Sequence, residues 1–448
     1  MPRNNLSLLV AVGLLSLVCY GRARSVNRVE YGRMQKTFGD VMYYIENYYI
    51  RPVDRRRIFE SALEGMTRPL DEYSDYIPPA KHSIFQETLN QEFGGVGIQV
   101  TRDEQTGYLE VVTPLVGTPA HEAGLMPGDI ILRIDDHDAV GALLEQAVLW
   151  MRGPPGKPVR LRLRRPSQQR EFDVTIVRRI IHVPTVLGDR YNEDGSWNFT
   201  LEADPRIGYI RILSFGQHTV QELRKALDAC LEAKVQGIVL DLRYNPGGLL
   251  QSAVETCDLF LTQGVIVSTR YRQHQEQVFR ARPEAYPRLP MAVLVNGYSA
   301  SASEIVAACL QDHRRAVIVG QRSFGKGSVQ ELFELEGRRS ALKLTVGTYH
   351  RPSGKNIHRF PDMGPEDTWG VEPDPGYEVP LEGQELDRAL QWRRQRDVFP
   401  PQKQEDPKYL DPQLRRAVEA VRKGWPKTTP LPRQPPEQAP GAGSPAGP

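Results

Sequence analysis

The sequence predicts a multidomain α/β protein whose central sheet is parallel in part. Three observations predict it. A chain of 448 residues with 40% hydrophobic and 25% charged residues has globular composition and length for two or three domains. Apolar runs at Gly237–Leu242, Met291–Val295 and Ala316–Gly320 read as buried strands and alternate with helix-like segments, the order that builds parallel sheets. Ahead of them, the stretch from about residue 89 to 180 reads as short alternating strands around glycine-rich turns.

At the N-terminus, Arg3 precedes the apolar run Leu6–Tyr20, and Arg22 and Arg24 follow it, the pattern of a secretory signal or signal anchor over residues 1–26. The run is short for a bilayer-spanning helix and no clear cleavage site follows, so both readings stay open. Cys19, late in the run, lacks a good lipidation box. Residues 27–88 are predicted as a mainly helical region, with Val41, Met42, Ile45 and Tyr49 on one helical stripe expected to pack. Lys and Arg total 57 against 55 Asp and Glu, and a net charge of +2 gives no reason to expect nucleic acid as a partner. Cys230, Cys257 and Cys309 sit in apolar helix-like contexts and read as buried free thiols, although an exported protein could pair two of them.

In the β-rich segment, a strand at Tyr108–Thr113, a helix near Ala142–Met151 and strands at Val159–Leu163 and Glu171–Val177 surround Pro119, Gly124, Leu125, Gly128, Asp129 and Ile134. This run resembles the PAxxAGLxxGDxIxxI pattern of PDZ domains, with the likeness covering residues 89–180. The resemblance implies that the backbone at Gly94, Gly95, Val96, Gly97 and Ile98 captures the terminal carboxylate of an extended peptide added as an extra strand. The plain reading of the same glycines is a turn.

Beyond it come Arg206–Ser214, a helix at Val220–Lys234, the strands named above, a helix at Ser301–Leu310 and a strand at Ala341–Thr348. Three segments leave strand ends: Asn245-Pro246-Gly247-Gly248, Ser299-Ala300-Ser301-Ala302-Ser303-Glu304, and Phe324-Gly325-Lys326-Gly327-Ser328-Val329-Gln330. In order and spacing they resemble the C-terminal processing (tail-specific) peptidases, with 25 residues between Ser301 and Lys326. The resemblance spans about residues 30–380. It implies a core of ββα type, like that of ClpP and crotonase, over residues 181–376, with Ser301 as nucleophile and Lys326 as general base. Gln330, read as one helical-type step beyond the lysine, would orient it, and the N–H groups of Gly247 and Ala302 would form the oxyanion hole. Arg152 resembles an arginine through which the family links PDZ position to active-site readiness; the plain reading is a surface arginine.

The chemistry is self-consistent. A serine hydroxyl must lose its proton as it attacks, and a neutral amine can take it. Neutral lysine at pH 7 costs about 4.6 kcal/mol from its reference pKa, so the site must desolvate the amine or supply positive potential, as a helix starting at Ser301 would. Read alone, Ser301 with Glu304 is a helix capping box. Ser299 and Ser303 are the neighbouring alternatives. Gly320, Gly325 and Lys326 also satisfy G-x-x-x-x-G-K, but Gly327 stands where a phosphate-binding loop needs Ser or Thr, and the candidate acidic strand precedes the loop. No zinc-peptidase or G-x-S-x-G motif occurs, and His313, His350 and His358 read as structural. The stretch Arg351–Lys355 resembles a cleft-lining loop of the family. Tyr298 and an insert at Phe360–Trp369 depart from the family pattern and would shape the pocket.

The expectation is an exported serine endopeptidase of the periplasm or cell envelope, without metal or other cofactor, that recognises apolar C-terminal tails through the PDZ domain. The alternative is a catalytically silent envelope protein whose PDZ domain still binds peptides. Membrane anchoring, self-association and an adaptor partner stay open. A helical region at 377–424 and a Pro-rich tail at 425–448, with eight prolines from Trp425 onward, complete the chain.

Overall fold

A computed structural model describes residues 30–424 apart from 104–105, 273–274, 365 and 403–408. The signal-like segment with Cys19 and the Pro-rich tail lie outside the described residues. Among those described, no helix is long and apolar enough to cross a membrane.

The chain forms two compact units. The first comprises the N-terminal residues through His82 together with Glu331–Thr345. It holds helix α1 (30–48), helix α2 (Arg55–Thr67) and strand β1 (Asp75–Ile77), which pairs antiparallel with Ala341–Lys343. Asp54 caps α2 by accepting from the N–H groups of Arg56 and Arg57, and Arg56 donates to Glu336 at 2.7 Å. The expected packing of α1 is met in part: Met42 and Ile45 are half-buried and Phe38 meets the Phe59 ring of α2 edge to face, whereas Val41 is 50% and Tyr49 59% exposed. An apolar stripe is buried only where a second face covers it.

The second unit begins with helix α3 (Pro79–Asn90, from Ser83 onward) and strand β2 (Glu92–Gly95). Strands β3 (Ile98–Arg102), β4 (Leu109–Pro114), β5 (Ile130–Ile134), β6 (Pro158–Arg165) and β7 (Arg170–Val177) make one antiparallel sheet in that order. Alternate residues Val159, Leu161 and Leu163 turn inward with Leu109, Val111 and Ile131, all fully buried, and helix α5 (Leu144–Met151), which follows the short helix α4 (Pro119–Glu122), closes over them. β3 is an edge: among the described residues it pairs only with β4. Strand β8 (Arg179–His182) returns to pair with β2.

The remainder is built on four neighbouring parallel strands: β9 (Asp204–Ile212), β10 (Gly237–Asp241), β13 (Met291–Val295) and β14 (Val317–Gly320). Between β10 and β13 run strands β11 (Val265–Tyr271) and β12 (Gln277–Arg280), which pair with each other. The uninterrupted apolar runs are explained by helices on both faces. Ile238, Leu240, Val293, Val295 and Ile318 face helices α6 (Thr219–Glu232), α7 (Leu250–Asp258) and α8 (Ala302–Asp312), while Val239, Leu294, Val317 and Val319 face α10 (Pro412–Arg422). Helix α9 (Gly383–Arg396) adds Trp392 to the second face. Cys230, Cys257 and Cys309 are buried free thiols, as expected; burial pushes the Cys230 thiol up to about 12, which leaves it inert.

Strand β15 (Ser328–Leu335) and strand β16 (Ser340–His350) form a hairpin whose distal part belongs to the first unit. At the C-terminal end of β10, the buried Arg243 pairs with Asp241 at 2.7 Å and with Asp411, the α10 cap, at 2.9 Å. Arg243→Ala strands two buried carboxylates, so urea unfolding is expected to register a loss of roughly 3–5 kcal/mol.

Candidate active site

The three motif segments leave the C-terminal ends of three adjacent strands: Tyr244–Gly248 follows β10, Asn296–Ser301 follows β13, and Gln321–Gly327 follows β14. Neighbouring strands lie about 4.8 Å apart, so β13 in the middle brings Ser301 between Gly247 on one side and Lys326 on the other.

Ser301 is the residue before α8 and has φ 56° and ψ −114°, a region that L-residues rarely occupy. Such backbone costs about 1–3 kcal/mol and persists only where its surroundings impose it. They do so here. Ala300 donates its N–H to Asn245 O at 3.0 Å, and Ser301 N–H donates to Glu304 Oε2 at 2.8 Å. The two neighbouring serines are fully buried and committed: Ser299 Oγ donates to Leu242 O at 2.8 Å and Ser303 Oγ to Asn245 O at 2.9 Å.

Gly247 faces the Ser301 segment so closely that a Cβ there would lie 2.8 Å from Ser301 Cβ and 3.0 Å from Ala302 N, and its φ is 102°. Only glycine fits. Ala302 N–H, the first of α8, has no intrahelical acceptor and sits at the positive end of the helix. Gly247 N–H, expected in the oxyanion hole, instead donates to Asn245 Oδ1 at 2.9 Å in this conformation. An asparagine two residues before a turn amide is well placed to accept from it.

Glu304 ties two of the segments, Asn296–Ser301 and Gln321–Gly327, together, a role that the capping reading of its sequence position does not contain. Its carboxylate is fully buried. Oε2 accepts from Ser301 N–H and from Lys326 N–H, each at 2.8 Å, while Oε1 accepts from Ser323 Oγ and Gly325 N–H, each at 2.6 Å. The backbone nitrogens of Ser301 and Lys326 thus converge on one oxygen. Burial pushes the Glu304 carboxyl up to about 7, against the four hydrogen bonds that favour its ionised form. A carboxyl whose folded-state pKa is raised contributes stability below its unfolded value that is lost as pH rises through about 7. Urea titrations are expected to lose roughly 3 kcal/mol between pH 4.5 and pH 8 on this account, a slope that Glu304→Gln removes.

The Lys326 loop is held from its other side too. Arg359 N–H donates to Gly325 O at 2.9 Å, and Gly327 lies against the His358 backbone, where a Cβ would meet N at 2.3 Å. Trp369, at the end of the insert, packs on Gly325 with Arg322 and Arg359 over its ring at 4.6 and 4.7 Å. Tyr298 is 68% exposed and stacks on Tyr244. His313 and His350 make local hydrogen bonds to Val265 O and Thr348 Oγ1.

The helical-type step to Gln330 is corrected. Lys326 lies in a loop and Gln330 is the third residue of β15, because Gly325 and Gly327 break the backbone and Ser328-Val329-Gln330 pairs into the hairpin. Gln330 Nε2 donates to Ser328 Oγ at 2.8 Å, both on one face of the strand. Arg152 lies at the end of α5, 4.4 Å over the Phe93 ring and 3.2 Å from Glu87 Oε2, with its side chain 32% exposed. Of the glycine stretch, Gly94 and Gly95 are strand residues of β2 paired with Ile180 and Arg179, Ile98 opens β3, and between them Val96 and Gly97 spend their carbonyls on Ala120 N–H and Leu115 N–H.

The family model of peptidase family S41 matches residues 206–375, and that of a PDZ domain matches residues 110–165. A carboxy-terminal-processing protease of Bartonella bacilliformis is 39% identical over 369 residues, covering 80% of this chain and 81% of its own. The chain belongs to the carboxy-terminal-processing protease family. A carboxyl-terminal-processing protease of Synechocystis is 36% identical over 351 residues, 78% of each chain. The solved structure of a putative S41 protease from Bacteroides fragilis shares the fold, with a TM-score of 0.50 and 18% identity over 84% of this chain and 91% of its own. As a member of this family, the protein is a serine protease with a PDZ domain, and it fits peptide or protein substrates.

Proposed function

We propose that this protease cleaves proteins presented by their apolar C-terminal tails, using Ser301 as nucleophile and Lys326 as general base. The observation that carries the reading is the convergence of Ser301 and Lys326 on one buried Glu304 oxygen, with Ser299 and Ser303 committed to backbone carbonyls. Lys326 takes the Ser301 proton as the hydroxyl attacks the scissile carbonyl and returns it to the leaving amine; water then releases the acyl-enzyme. Gln330, two strand residues beyond Ser328, orients the lysine.

Ala302 N–H receives the oxyanion at the start of α8. Gly247 N–H joins it once its bond to Asn245 Oδ1 is given up, so the conformation described is a resting one. A substrate tail adds to the open edge of β3 beside α5, with its carboxylate on the backbone of Gly94–Ile98, where β2 passes into β3. Arg152, stacked on Phe93 of β2, relays docking to the catalytic segments. The N-terminal segment supports export to the periplasm or cell envelope, which cell fractionation tests.

The deciding experiment is degradation of an unfolded reporter with an apolar C-terminal tail by protein lacking residues 1–26. Cleavage is expected to fall at least tenfold when the tail ends in Asp-Asp, and equal rates for both tails would remove tail recognition. Arg152→Ala is expected to change basal or tail-stimulated rates, and no change in either would leave the arginine a structural residue.

A further inference from the structure

We propose that Glu92, His182 and His218 bind a divalent transition-metal ion, zinc above all, at the root of the PDZ module. The antiparallel register of β2 and β8 sets Glu92 directly opposite His182, and His218 is the residue that opens α6. One ring nitrogen from each histidine and one Glu92 oxygen lie within 4.8 Å of one another. The two rings meet edge to face at 4.8 Å, and His218 Nε2 is 3.7 Å from Glu92 Oε1.

Zinc at about 2.0–2.1 Å from its ligands places tetrahedral ligand atoms about 3.3 Å apart, so side-chain rotation alone closes this set. Two imidazoles and one carboxylate suit zinc and its neighbours, whereas calcium and magnesium prefer all-oxygen sites.

A second observation points the same way. His182 Nε2 is 2.6 Å from Glu222 Oε1, and the other Glu222 oxygen is fixed by Thr185 N–H at 2.7 Å, Thr185 Oγ1 at 2.8 Å and Val186 N–H at 3.0 Å. A rigidly held carboxylate on a histidine is the outer support that metal-binding imidazoles commonly have, fixing the ring and raising its basicity. The side chains of His182, His218 and Glu92 are 38%, 40% and 42% exposed, which leaves the ion a route in from solvent and room for water as a fourth ligand. Because β2 carries Gly94 and Gly95 and runs directly into Val96 and Gly97, while α6 packs on the parallel sheet, a bound ion fastens the base of the peptide-binding module to the peptidase core.

The test uses full-length, untagged protein stripped with a chelator and titrated calorimetrically with zinc chloride, with cobalt(II) as a visible-absorption probe. The expected result is one zinc per chain at micromolar affinity or tighter, cobalt d–d bands of imidazole ligation, and a thermal midpoint raised by zinc. His218→Ala and Glu92→Gln are expected to weaken binding at least tenfold and to abolish the thermal shift while leaving the metal-free midpoint unchanged. Glu222→Gln, which removes no ligand, is expected to weaken binding about 10–100-fold. Absence of zinc binding to the unaltered chain up to 100-fold above micromolar concentration, or the same affinity in His218→Ala and Glu92→Gln as in the unaltered chain, overturns the proposal. These readouts do not depend on peptidase activity.

Discussion

Ser301→Ala and Lys326→Ala are each expected to lower kcat/KM for a tailed reporter by on the order of 10⁴-fold or more, with folding intact by circular dichroism. The two residues act on one proton, so the double variant should be no slower than either single one. Ser299→Ala and Ser303→Ala should behave differently. Each removes a buried hydroxyl that donates to a backbone carbonyl, Leu242 O or Asn245 O. Their main effect is a stability loss of about 1–3 kcal/mol, with activity reduced only as far as the strained Ser301 backbone relaxes. If Ser303→Ala abolished cleavage while Ser301→Ala retained it, the assignment of the nucleophile would fail.

The second large effect is expected at Glu304. Replacing its side chain by alanine leaves four donors, Ser301 N–H, Ser323 Oγ, Gly325 N–H and Lys326 N–H, facing a cavity. Loss of a charged, fully hydrogen-bonded buried group costs about 3–5 kcal/mol, measurable by urea unfolding. Activity should fall with it, because the same oxygen holds the backbones of Ser301 and Lys326, the proposed nucleophile and base. Glu304→Gln separates the two consequences. Its amide puts a donor against donors on one side, so the side chain keeps its volume while the Ser301–Lys326 link or the Ser323–Gly325 link is broken. At a temperature where both proteins are folded, Glu304→Gln is expected to retain under 1% of the activity. Full activity in that variant would show that Glu304 is a structural cap only.

The motif segments were legible because each is written as a short motif at a strand end, and their reading as a family survives comparison with relatives. The strands were legible too: unbroken apolar runs such as Met291–Val295 are what a sheet covered on both faces demands, and their observed bounds agree to within a residue or two. Three features were not. Glu304 looks in sequence like any helix-capping glutamate, since its contacts to Ser323, Gly325 and Lys326 come from a segment about twenty residues away in the chain. Gln330 stands four residues after Lys326, a spacing that suits a helix, but the flanking glycines and the pairing with β16 make it a strand residue. The Glu92, His182 and His218 cluster joins residues scattered over more than a hundred positions, and no spacing rule links them.

What the sequence by itself determined is therefore local and periodic: which runs are strands, which turns need glycine, and which residue types chemistry places at strand ends. Only the tertiary structure decided which two of the three serines donate to buried backbone carbonyls, where the Gly247 N–H points, and that the hairpin of β15 and β16 carries Glu331–Thr345 into the N-terminal unit. The reason is physical. Periodicity and turn chemistry act between residues a few positions apart, whereas a hydrogen bond to a buried carboxylate depends on which distant strands come to lie side by side.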